Sequence, residues 1–148
     1  MFLALEIVVL YGATRLRLAC NRFKLTDDLP PQVDSERLAG LSNAQTAAVA
    51  AYLSFAIVRL LGRLPTHPSC LIRSLVLLRL LARWGIDSTF VIGVRLKDGS
   101  LAAHAWVEYQ GIPLLDPGGG EFARLLQREV TTDGHSSTVS NETVVCAK

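Results

Sequence analysis

Along the first 64 residues the apolar positions recur at helical spacing. Leu3, Ile7, Leu10, Tyr11, Thr14 and Leu18 fall on one side of a 3.6-residue repeat, which predicts a first helix. Asp27-Asp28-Leu29-Pro30-Pro31 then breaks the pattern, since proline removes a backbone donor and clashes with the preceding turn. A second helix is expected from about Asn43 to Leu61. Ser42-Asn43-Ala44-Gln45 reads as a capping box at its start, and Gly62 with Pro65 supplies its stop. Nothing in this half alternates as a strand does.

The pattern changes after Thr66-His67-Pro68-Ser69, a loop. From Cys70 to Arg83 the chain is apolar on nearly every side, as a buried helix is, and Gly85 is placed to end it in the left-handed conformation. Thr89-Phe90-Val91-Ile92-Gly93-Val94 is rich in β-branched and aromatic residues and predicts a strand. Lys97-Asp98-Gly99-Ser100 reads as a hairpin turn, and Leu101 to Tyr109 as the returning strand. Gln110-Gly111 turns again into a third strand, Ile112 to Asp116. Pro117 and Gly118-Gly119-Gly120 form a loop, Glu121 to Arg128 reads as a short helix, and Thr131 to Lys148 is a polar tail. Helices first and an antiparallel meander afterwards make the chain α+β rather than alternating α/β. The expected organisation is a helical region over 1–64, a core over 65–130 and a tail over 131–148, all within one compact domain.

Composition narrows this further. The chain has 148 residues, of which 50% are hydrophobic and 19% charged, and this excludes a disordered chain. A net charge of +2 is not the footprint of a nucleic-acid binder, so no nucleic-acid partner is expected. The N-terminal stretch carries Glu6, Arg15 and Arg17 and lacks the layout of a signal peptide. Leu38 to Val58 holds no charge and is long enough to span a bilayer. Its Ser42, Asn43, Gln45, Thr46 and Ser54, with many alanines, favour a core helix. Contact of the first helix with a membrane surface stays open. Cys20, Cys70 and Cys146 form neither a disulfide framework nor a zinc pattern, so a reducing, cytoplasmic setting is expected, with no metal or cofactor.

Cys70 falls where the loop becomes a helix. The unpaired N–H groups and macrodipole there favour a thiolate and can hold an oxyanion. Free cysteine is also a common small core residue, and position alone favours that plainer role. His104 lies on the returning strand, sharing a face with Ala102, Trp106 and Glu108, while Leu101, Ala103, Ala105, Val107 and Tyr109 take the other. Asp116 precedes a proline and three glycines, where aspartate is usually a turn former. Together, however, cysteine at a helix start, histidine on a strand and aspartate on the neighbouring strand supply nucleophile, base and orienter in chain order. His67 and His135, Cys20 and Cys146 make no comparable set. Arg73, Arg79 and Arg83 could face solvent or a partner, and solvent is the default expectation.

Pro68-Ser69-Cys70-Leu71, Trp84-Gly85-Ile86, Ile92-Gly93-Val94, Ala103-His104-Ala105-Trp106-Val107-Glu108 and Leu115-Asp116 resemble the transglutaminase-like leader peptidases of lasso-peptide biosynthesis, the second B-type maturation protein. The resemblance spans about Leu64 to Pro117. It implies a papain-like cysteine protease core with Cys70, His104 and Asp116 as catalytic residues and a ribosomal precursor (leader) peptide as substrate. It also implies a separate ATP-dependent lasso cyclase acting next. In that family a winged-helix recognition element binds the leader. Two helices without strands over 1–64 do not match such an element, so a separate leader-recognition protein is the expected partner. An acyl transferase using an amine in place of water, and a non-catalytic precursor-binding module, are the rival readings.

Overall fold

The computed structural model describes residues 2–20, 40–97, 99–115, 121–130 and 138–139. Helix α1 (Phe2–Ala19) buries Ile7, Leu10 and Thr14, with Leu3, Tyr11 and Leu18 half-buried beside them, so the inner stripe is the one the spacing predicts. Its outer stripe, Phe2, Leu5, Val9 and Leu16, is exposed. Helix α2 (Asn43–Leu61) starts at the expected capping box. The Ser42 hydroxyl accepts from the Gln45 N–H at 3.4 Å, and the Gln45 side chain accepts from the Ser42 N–H at 2.9 Å. Although long and apolar enough to cross a membrane, α2 turns Ala50, Leu53, Ile57 and Leu61 into the common core. Gly62 caps it in right-handed geometry, so the glycine is not the left-handed stop that its type suggests.

Helix α3 (Cys70–Arg83) is buried at every residue from Ser74 to Ala82, and α1, α2 and the sheet all pack against it. Gly85, at φ 71°, follows it in the left-handed region as expected. The burial includes Arg79, which corrects the expectation that this arginine faces solvent. Its Nη1 donates to Thr14 Oγ1 at 2.7 Å, and the Thr14 hydroxyl donates in turn to the Leu10 carbonyl at 2.7 Å. Arg83 is paired with Glu6 at 3.1 Å. An all-round buried helix cannot send every long side chain to water, so α1 supplies acceptors instead.

The strands are β1 (Ser88–Lys97), β2 (Ser100–Tyr109), β3 (Ile112–Pro113), β4 (Ala123–Val130) and β5 (Thr138–Val139), in sheet order β3-β2-β1-β4-β5. β1 and β2 pair antiparallel from Thr89 opposite Glu108 to Lys97 opposite Ser100. Gln110 (φ 50°) and Gly111 (φ 78°) both adopt positive φ, the requirement of a tight two-residue turn into β3. β3 is shorter than the expected Ile112-to-Asp116 strand, although the Leu114 N–H still bonds the Val107 carbonyl at 2.9 Å.

The larger correction is β4. The segment read as a short helix from Glu121 to Arg128 is a strand against the second edge of β1. Its Ala, Arg, Leu and Gln content favours a helix, but such preference is a weak prior that an unfilled sheet edge overrides. Ile92 faces Leu126 and Gly93 faces Arg124, so Leu125 is the extra residue of a bulge and is exposed. Of the polar tail, only Thr138–Val139 falls among the described residues.

Candidate active site

Cys70 is the first residue of α3. The loop before it turns sharply at His67, whose φ of 36° is uncommon for a residue preceding proline, and Pro68 is buried. The Ser69 hydroxyl accepts from the Ile72 N–H at 3.5 Å, and the Arg73 N–H bonds the Ser69 carbonyl at 3.1 Å. The N–H groups of Cys70 and Leu71 come before Arg73, whose N–H bonds the Ser69 carbonyl, so this end of α3 offers donors to a developing oxyanion.

Four residues on, and therefore on the same helix face, the buried Ser74 hydroxyl donates to the Ala105 carbonyl at 2.8 Å. This bond ties the first turns of α3 to β2 beside His104. The sequence singled out both Cys70 and His104, and the fold brings their two elements together at that point. Cys70 and His104 are each half-buried. Asp116 lies outside the described residues, as do His135 and Cys146. Its neighbour Leu115 is buried. Cys20 and His67 are exposed. Among the described residues no three His, Cys, Asp or Glu side chains gather as a metal site would require.

The register places Gly93, His104 and Arg124 in one row across three strands. The His104 ring lies near parallel to Trp106, with centroids 6.1 Å apart and planes 21° apart, and Phe122 approaches from another side at 5.6 Å. Arg95 sits over Phe122 at 4.6 Å. An added Cβ on Gly93 would meet Trp106 ring atoms and Phe122 Cβ at 2.8 Å, so glycine is what lets the indole lie flat on β1.

A family model of the transglutaminase-like superfamily matches residues 3–127, from α1 into β4. The chain belongs to that superfamily. No curated protein matches it, and neither does any solved structure. The superfamily includes cysteine proteases, and the α+β architecture expected from the sequence is the architecture found. In this transglutaminase-like chain the residues that sequence reasoning missed around His104 are Phe122 and Arg124. Both fall in the 121–128 segment, whose composition favours a helix and carries no strand alternation. Trp106 and Glu108 were legible through their shared face with His104.

Proposed function

We propose that the protein is a thiol peptidase that removes the leader from a ribosomally made precursor peptide, as the resemblance to the lasso-peptide leader peptidases suggests. The observation that carries the reading is the tie between Ser74 and Ala105, which sets the turn holding Cys70 against the strand holding His104. Cys70 attacks the carbonyl at the leader–core junction while His104 accepts the thiol proton. The tetrahedral oxyanion is held at the start of α3, and the amine of the core peptide leaves with the proton from His104. Water then attacks the thioester, His104 takes its proton, and the leader departs as a carboxylate. Asp116 is proposed as the orienter of His104, as the resemblance to the leader peptidases implies.

The deciding experiment incubates the purified chain with the precursor encoded beside it and records product masses. Cys70→Ala and His104→Ala are expected to lower cleavage by about a hundredfold or more without unfolding the protein. Cleavage at a tenth of the wild-type rate would end the reading. Thiol alkylation should stop the reaction and chelators should not. Membership in the superfamily equally favours acyl transfer to an amine. Adding a primary amine to the same incubation separates the two, since an acyl transferase yields the amide-capped leader.

A separate leader-recognition protein is the proposed partner, in a cytoplasmic setting. It would raise cleavage by tethering, which increases the effective concentration of the junction near Cys70. Val9→Glu, on the exposed stripe of α1, tests whether that stripe receives the partner. Leu10→Glu does not, because Leu10 belongs to the core.

A further inference from the structure

Glu108 is the unusual residue on the sheet face that carries His104. Its side chain is only 3% exposed, yet it is a carboxylate. Oε1 accepts from the Trp106 indole N–H at 2.7 Å and from Arg124 Nη2 at 2.9 Å, and Oε2 accepts from Arg124 Nη1 at 3.0 Å. A two-pronged guanidinium grip of this kind fixes orientation as well as charge. As a source of stability it is poor, because desolvation offsets much of the attraction and an apolar replacement is often as stable. Orientation is what it supplies. The indole has one N–H, and aiming it at Glu108 selects one of the ring's flips. Gly93 beneath and Phe122 beside the ring then leave it a single seat.

The bulge in β4 belongs to the same device. Without Leu125 as the extra residue, Arg124 would fall on the opposite face of the sheet from Glu108. With it, a row of contacts runs from Arg124 through Glu108 and Trp106 to His104.

We propose that Glu108 is a positioning residue for His104: gripped by Arg124, it fixes the Trp106 indole, and the indole with Phe122 fixes the plane of the imidazole. The proposal rests on the reading of Cys70 and His104 as a nucleophile–base pair. Glu108 itself touches no reacting atom.

The test uses iodoacetamide on the full chain at neutral pH, with the modified residues resolved by mass spectrometry and exposed Cys20 as internal reference. In the wild type Cys70 is expected to react about tenfold faster than Cys20. Equal rates there would overturn the thiol-peptidase reading and this proposal with it. Glu108→Leu is expected to remove most of the Cys70 preference, while Glu108→Gln, which keeps an acceptor for the indole, restores it to within about threefold. Trp106→Phe keeps a ring but loses the N–H and should reproduce the Glu108→Leu result. The double variant should fall no further, because the two changes break one link. A wild-type preference that persists in folded Glu108→Leu would overturn the proposal alone, and so would additive losses in the double variant. Where Glu108→Leu fails to fold, Trp106→Phe decides by the same criterion.

Discussion

At Gly93 the smallest side chain of β1 carries the largest ring of β2. The close approach makes Gly93→Ala a sharper probe than its single methyl suggests. Overpacking of about 1–3 kcal/mol is expected, read as a lower denaturation midpoint with altered tryptophan emission. Tyr11 offers a second probe at this scale. Its hydroxyl is bonded to Thr66 Oγ1 at 2.8 Å and accepts from Arg15 at 3.1 Å, and these bonds, Thr66 first and Arg15 next, hold its pKa below the usual 10.0. An acid whose folded pKa is depressed adds stability above its unfolded pKa and loses it as pH falls through the folded one. The gain therefore belongs to alkaline solution and is absent at neutral pH. Tyrosinate absorbance should begin to rise earlier in wild type than in Thr66→Val, and Tyr11→Phe should remove that first step.

The helices were legible because each carries its own signals. The stripe of α1, the capping box of α2 and the all-round apolar run of α3 are local, and each matches the structure closely. β1 and β2 were legible too, through β-branched content and a hairpin turn. β4 was not, because what makes it a strand is the empty edge of β1, a fact about neighbours that composition does not carry. The same blindness hid Arg124 and Phe122, and with Phe122 a ring packed against His104. The caps allow a direct comparison between elements. Ser42→Ala breaks a reciprocal pair and should cost about 1 kcal/mol, whereas Ser69→Ala loses one stretched bond and should cost about 0.5 kcal/mol, both from denaturant titration.

At the scale of the molecule, α3 is the hub. The helical half and the sheet meet through it, and Arg79 and Arg83 lock it to α1 through Thr14 and Glu6. Placing the core there explains why truncations of α1 should not be silent: they uncover the side of α3 that packs on α1 and strand the buried Arg79 guanidinium. The sheet order has a further consequence, for the order in which the protein assembles. α3, β1 and β2 follow one another over residues 70–109 with short connections, so they close early at small entropic cost. β4 comes later in the chain yet must seat beside β1, across from β2. Substitutions in the β1–β2 hairpin are accordingly expected to slow refolding, while Arg124→Ala should chiefly speed unfolding, a difference that the two arms of a chevron read directly. Until β4 docks, Glu108 stands without its guanidinium. Docking of β4 is then the step that completes the order around His104, so the β1–β2 hairpin of a newly made chain is expected to take shape before that face does.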